Sequence, residues 1–268
     1  MIRKQNKVIL TLLLAGMSAL FGACLPDNGG PQVSAHRGAA YLAPENTLAA
    51  LDSCVKYGID YMECDVCISK DSVFYLLHDS TLDRTTNGTG DIGDWLSQDI
   101  DTLDAGAWFG EEFRGQPVPR LADVLRRAKQ HNLGITVDYR SGDFEKLLEL
   151  VRSEGMLKRC MFTFWNEEDT KAFRALAPEV TGLQAYVKSV DELDDVVAKF
   201  RPDVAVIRIE SLTREFVVEC RRRNLQVLVL SLGMDDVEEK MQKAVSLGAD
   251  VVATDRAEVF VKKFRKSK

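Results

Sequence analysis

The sequence predicts an α/β fold, a parallel (β/α)8 TIM barrel with a small insertion after the second strand. Three observations carry that prediction. From Val33 onward, short β-rich runs alternate with segments of helical period, and the alternation repeats eight times. A length of 268 residues, with 46% hydrophobic and 28% charged residues, suits one large α/β barrel or two modest domains, and excludes a disordered chain or a small stapled domain. No Gly-rich phosphate turn follows any strand, which weighs against the alternative of an open doubly wound sheet.

In chain order, the β-rich runs are 33–36, 60–66, 134–138, 160–164, 182–186, 203–208, 226–230 and 250–253. The helical segments that follow them are 46–57, 121–131, 144–154, 167–176, 190–200, 213–223, 235–247 and 257–264. One gap breaks the pattern. Between the second strand and its helix lies an extra strand, 73–77, and then a stretch rich in Gly, Asp, Thr and Trp, about 79–118, of the length expected for a lid or binding loop. Beyond the last helix the run 262–268 carries Lys262, Lys263, Arg265, Lys266 and Lys268, and reads as a solvated helix end.

The first residues stand outside the barrel. Arg3, Lys4 and Lys7 precede an apolar run from Val8 to Phe21, too short to span a bilayer, and Gly22 and Ala23 lead into Cys24. This resembles a bacterial lipoprotein signal, with Phe21 where Leu is usual. It implies a signal peptide over 1–23, lipidation of Cys24, and a tether over 24–32 whose Pro, Asp, Asn and Gly suit a flexible linker. The expected location is the cell envelope, outside the cytoplasm. Leu25 rather than Asp after the cysteine favours the outer membrane by the sorting habit of such lipoproteins.

Lys plus Arg number 35 against 41 Asp plus Glu, a net charge of -6; without the first 23 residues the balance is 32 against 41. An acidic body argues against nucleic acid and against broad adhesion to anionic lipid, leaving a lipid anchor as the expected membrane contact. Cys54, Cys64, Cys67, Cys160 and Cys220 are odd in number and scattered, which is no disulfide framework. Cys64 and Cys67 are three apart on a strand, so they point to opposite faces and cannot chelate one metal; buried packing thiols are expected.

His36 ends the first strand and His78 ends the extra strand, two of only three histidines in the chain. A barrel places its reactive groups at strand ends, whereas His131, in a helix tail, reads as structural. Glu63 and Asp65, two apart on the second strand, project to one face. Two such carboxylates repel unless a proton or a cation separates them, so a hard oxygen-ligand cation, Mg²⁺ or Ca²⁺, is the natural partner. Asp138 adds a third oxygen donor and Arg140 a fork for a phosphate; a buried structural ion network is the competing reading.

His36-Arg37-Gly38, Pro44-Glu45-Asn46-Thr47, Glu63-x-Asp65-Val66, His78-Asp79 and Arg84-Thr85-Thr86-x-Gly88-x-Gly90 occur in this order, followed by Pro119-x-Leu121, Gly248-Ala249-Asp250 and Thr254-Asp255. Together they closely resemble the glycerophosphodiester phosphodiesterase family. The resemblance implies a divalent metal and hydrolysis of a small phosphodiester to sn-glycerol 3-phosphate and an alcohol. It makes His36 and His78 the general acid-base pair, Arg37 a phosphate contact, and Glu63 and Asp65 metal ligands, with Glu45 beside the metal and substrate hydroxyls.

Three departures from the family pattern bear on substrate choice. Asp138-Tyr139-Arg140 stands where Glu-x-Lys is usual, making the carboxylate one methylene shorter and the cation a fork. Leu230-Ser231-Leu232-Gly233 replaces the usual Trp-Thr-Val-Asn, removing an apolar wall from the glycerol side. Trp165 follows the fourth strand and stands in for that wall or packs. Two other readings remain at this stage: a phospholipase D-like enzyme of the same barrel type that expels a head group by cyclisation, and a non-catalytic phosphodiester-binding surface lipoprotein.

Overall fold

The computed structural model describes residues 30–265; the signal peptide, Cys24 and the tether up to residue 29 lie outside the described residues, as do Lys266 and Lys268. The strands are β1 (Gln32–Ala35), β2 (Tyr61–Ile68), β3 (Phe74–Leu76), β4 (Gly134–Tyr139), β5 (Cys160–Thr163), β6 (Gln184–Tyr186), β7 (Val204–Arg208), β8 (Gln226–Ser231) and β9 (Val251–Thr254). All but β3 are parallel and run in the order β5-β4-β2-β1-β9-β8-β7-β6. A single parallel bridge, Phe162 with Leu183, joins the two ends, so the barrel of eight parallel strands is nearly closed. The expected (β/α)8 architecture is present. The extra strand β3 pairs antiparallel with β2, Val66 opposite Leu76 and Cys67 opposite Tyr75.

Around the barrel lie α1 (Leu48–Tyr57), α3 (Leu121–Gln130), α4 (Phe144–Ser153), α5 (Glu167–Leu176), α6 (Leu193–Phe200), α7 (Arg214–Arg222), α8 (Glu238–Leu247) and α9 (Ala257–Phe264), with a short α2 (Ser97–Ile100) inside the insertion. Caps decide where several helices start. Thr47 accepts the Ala50 N–H at 3.2 Å and Thr213 the Phe216 N–H at 3.1 Å, satisfying amides that the first turn leaves unpaired. The first helix therefore begins at Leu48 and not at the expected residue 46, because Asn46 sits at φ 57° and turns its side chain elsewhere. Helices expected at 190 and 235 begin at Leu193 and Glu238, each after a single 3-10 turn.

Three apolar clusters build the molecule. The largest joins the helices to the outer face of the barrel. A second fills the barrel interior with Tyr61, Met161, Val204, Val206, Leu228, Val251 and Ala253. The third, with Tyr75, Leu82, Ile92, Ile100 and Leu103, gives the insertion its own small core. Cys64 belongs to the first and Cys67 to the third, so the two thiols do face opposite ways, and all five described cysteines are buried and free. No helix among the described residues is long and apolar enough to cross a membrane.

Two boundaries move. Gln32, expected in the tether, is already paired in β1, its N–H donating to Asp250 O at 2.9 Å. Lys262 and Lys263 are exposed in the last turn of α9, as expected of a solvated helix end, but Arg265 is 9% exposed; it forms an ion pair with buried Asp60 and donates to Gly58 O at 2.7 Å. Asp60 also accepts the Val33 N–H at 2.7 Å, so the chain end is tied to the barrel floor beneath β1.

Candidate active site

At the mouth of the barrel the backbone leaves β1 through three successive left-handed residues, Arg37 (φ 51°), Gly38 (φ 81°) and Ala39 (φ 61°). Such conformations are held only where their surroundings over-determine them. A Cβ on Gly38 would lie 2.7 Å from Met62 Cε and 2.8 Å from Ala50 Cβ, so glycine alone fits. The turn aims the Arg37 N–H at Glu63 Oε2, 2.7 Å away.

β2 carries Glu63 and Asp65 into the mouth, and its register with β4 sets Asp65 opposite Asp138. One carboxylate oxygen from each of Glu63, Asp65 and Asp138 lies within 4.8 Å of the others. Asn46 locks Asp65 from the side, donating to Oδ2 at 2.8 Å and accepting the Asp65 N–H at 3.1 Å. Arg140 donates to Asp65 Oδ1 through Nε and Nη2 at 3.0 and 2.6 Å, and reaches Asp138 Oδ2 at 3.3 Å. Burial, and then the charge of Asp65, push Glu63 up to about 8. Asp138 is pushed up to about 6, chiefly by burial, with Arg140 opposing. An all-oxygen donor set whose charges repel at close range fits a hard divalent cation, which would relieve that repulsion.

His36 stands beside this cluster. Its Nδ1 lies 2.6 Å from Asp255 Oδ1, and Asp255 Oδ2 accepts the Gly233 N–H at 2.8 Å. Burial alone would lower the His36 pKa; the hydrogen bond to Asp255 and the charges of Glu63 and Asp255 outweigh it and raise the pKa above 6.5. With Nδ1 engaged, Nε2 is the ring nitrogen left for proton transfer. His78, which follows β3, is arranged similarly, Nδ1 lying 2.7 Å from Asp79 Oδ1. Arg84 Nε donates to Asp79 Oδ2 at 2.6 Å, and that hydrogen bond is the main reason Asp79 is held down to about 2.

Glu45 is placed by the structure between two guanidinium groups, outside the three-carboxylate cluster. It accepts from Arg84 Nη1 and Nη2 at 3.0 and 2.8 Å and from Arg37 Nη1 at 3.1 Å. Arg37 Nε is buried, finds no hydrogen-bond acceptor among the described residues, and lies 3.8 Å from Asp65 Oδ2. A buried donor of this kind suits an anionic oxygen brought in by a ligand. Trp165, 67% exposed, donates its indole N–H to Asp138 Oδ1 at 2.6 Å, and the Arg140 guanidinium lies 5.5 Å from its ring centre. It forms a rim beside the acidic cluster.

Every residue singled out in the barrel is thus brought to one end of it. Asp255 was not assigned a role from sequence, although its signal was present. In a closed barrel the residue after the last strand must lie beside the residue after the first, and β1 pairs with β9. The lock of Asn46 on Asp65 and the link from Arg84 to both Asp79 and Glu45 carry no comparable spacing signal.

Residues 36–259 match the glycerophosphoryl diester phosphodiesterase family. A glycerophosphodiester phosphodiesterase of Caldanaerobacter subterraneus subsp. tengcongensis is 28% identical over 87% of this chain and 98% of its own length. The crystal structure of glycerophosphodiester phosphodiesterase from Agrobacterium tumefaciens is 34% identical, with a TM-score of 0.81 over 87% of this chain and 99% of that one. A phosphodiesterase of Oleispira antarctica, solved in complex with the product sn-glycerol-3-phosphate, is 25% identical, with a TM-score of 0.77 over 87% of this chain and 96% of that one. Shared over nearly the whole barrel, that likeness settles the family: the chain belongs to the glycerophosphoryl diester phosphodiesterases and is a phosphoric diester hydrolase.

Proposed function

We propose that this chain hydrolyses small glycerophosphodiesters to sn-glycerol 3-phosphate and an alcohol, with His36 and His78 as the general acid-base pair and a divalent cation, Mg²⁺ or Ca²⁺, held by Glu63, Asp65 and Asp138. The observation that carries the reading is that His36, backed by Asp255, and the guanidinium groups of Arg37 and Arg140 adjoin one three-carboxylate cluster, while His78, backed by Asp79, shares a cavity wall with Arg140. When bound, the cation supplies a positive centre for the non-bridging phosphate oxygens. Arg37 Nε–H and Arg140 Nη1, the Arg140 nitrogen not engaged by Asp65 or Asp138, meet those oxygens as negative charge grows on them. One imidazole takes a proton from the attacking oxygen and the other gives one to the departing alkoxide. Trp165 shields the rim.

The test is sn-glycerol 3-phosphate release by the purified protein from choline, ethanolamine, glycerol and inositol diesters. EDTA is expected to abolish release and added Mg²⁺ or Ca²⁺ to restore it; release that persists in EDTA overturns the metal dependence. A transient cyclic phosphate in the phosphorus NMR spectrum would replace direct hydrolysis by cyclisation at the same residues. Turnover by any route excludes the purely binding lipoprotein.

The proposal extends to place. Lipidation of Cys24 would tether the barrel to the cell envelope, outside the cytoplasm, with the outer membrane favoured. β1 begins at Gln32 on the end of the barrel opposite the mouth, so such a tether leaves the mouth open to soluble diesters. Cys24→Ser should release the protein from the membrane fraction; retention of that variant on membranes would refute the anchor.

A further inference from the structure

Between the insertion and the ends of β2 and β4 lies a cavity of about 390 Å³, lined by His78, Ser80, Asp91, Ile92, Arg140 and Ser141 among others. That volume is within the range of small-molecule sites, about 300–1,000 Å³. Two of its wall residues, His78 and Arg140, also belong to the site assigned to the phosphate. A group seated in the cavity is therefore contiguous with the phosphorus.

The walls carry opposite charges. On the barrel side is the Arg140 guanidinium, fixed by Asp65 and Asp138. On the insertion side is Asp91, whose Oδ1 accepts the Gly93 N–H at 2.8 Å at the start of a 3-10 turn. Among the described residues no cationic side chain forms an ion pair with Asp91. Asp91 and Cys67 line the same cavity, the carboxylate from the insertion and the thiol from the end of β2. Ile92 and Ile68 supply apolar wall, and Ser80 and Ser141 supply hydroxyls. A cation at one wall and an unpaired carboxylate at another, with apolar surface beside them, complement a zwitterion made of a phosphate, a short carbon link and an ammonium.

We propose that this cavity is the subsite for the departing alcohol, and that Asp91 selects a cationic head group, an amino alcohol or its quaternary form. The inference rests on the phosphodiesterase reading above and names its substrate class.

The test compares kcat/KM for glycerophosphoethanolamine and glycerophosphocholine with that for the neutral-headed glycerophosphoglycerol, using the full chain with and without Asp91→Asn. Asparagine keeps an oxygen for the Gly93 N–H and removes only the charge. The ratio of cationic to neutral ester should fall about tenfold, mostly through KM, as expected for a group that binds without acting on the reacting atoms. Asp91→Lys should lower the ratio further. An unchanged ratio in both variants, or a wild-type protein that turns over all esters alike, overturns the subsite while leaving the phosphodiesterase reading intact. A wild-type protein that releases sn-glycerol 3-phosphate from none of the esters overturns both.

Discussion

His36 and His78 each lean on an aspartate, yet different parts of the chain build the two pairs. His36 and Asp255 are 219 residues apart and meet because β1 and β9 lie side by side in the sheet. The second oxygen of Asp255 is held by a backbone N–H of the loop after β8. His78 and Asp79 are neighbours in sequence, at the root of the insertion, and the second oxygen of Asp79 is held by a side chain, Arg84, which is 43% exposed. Backbone fixes the first pair and a mesh of ion pairs fixes the second. Perturbing the first should alter electrostatics at constant geometry, whereas perturbing the second should alter geometry.

The largest effects come from the rings themselves. His36→Ala and His78→Ala should each lower kcat by about 10² to 10⁴, the usual contribution of a positioned acid or base. Single-turnover measurement of phosphodiester cleavage checks both, and a His78→Ala protein with wild-type kcat would confine the chemistry to the barrel side and end the comparison.

Asp255→Asn sharpens it. A hydrogen bond to a charged group contributes about 1.5–3 kcal/mol, which corresponds to roughly 10–100-fold in rate. The sign of the pH effect follows from the His36 environment. Burial favours the neutral ring, and the Asp255 carboxylate, with Glu63, overturns that preference. Removing the Asp255 charge leaves burial in place, so the His36 pKa falls and the limb of the pH-rate profile that His36 sets moves to lower pH. A limb that stays in place in Asp255→Asn belongs to another group.

Asp79→Asn keeps the shape of the second pair but weakens the hold of Arg84 on it. The expected loss is smaller, about tenfold at most if one hydrogen bond of 0.5–1.5 kcal/mol is lost, and it should shrink with ionic strength because salt already screens this solvent-facing mesh in the wild-type protein. Equal salt dependence in Asp255→Asn and Asp79→Asn would remove the distinction between backbone-held and side-chain-held pairs.

The same division separates what could be read in the sequence from what could not. A strand has period two, so Glu63 and Asp65 necessarily share a face, and strand register then brings Asp138 level with Asp65. The alternation of β-rich and helical runs gave the barrel and located the insertion, because both signals are local. Contacts made by closure are not local. The meeting of Asp255 with His36 needs the last strand beside the first, and the burial of Arg265 against Asp60 needs the chain end tucked under the barrel, so a run of lysines around it read as solvated tail. Glu45 carries the family motif, but sequence cannot show that two guanidinium groups compete for it.

Arg84→Ala probes that competition and should have the smallest effect. Its contacts with Asp79 and Glu45 are partly exposed ion pairs of a kind that contributes little; at about 1 kcal/mol for the two together, kcat/KM should fall about fivefold. The loss should appear mainly in KM, because Glu45, freed of one partner, closes on Arg37 and draws its guanidinium away from the phosphate. Arg84→Lys should restore little, since one ammonium cannot reproduce a fork that donates to Glu45 through two nitrogens and to Asp79 through a third. A loss in Arg84→Ala as large as that in Asp255→Asn, carried by kcat alone, would mean that the mesh holds His78 as firmly as the sheet holds His36.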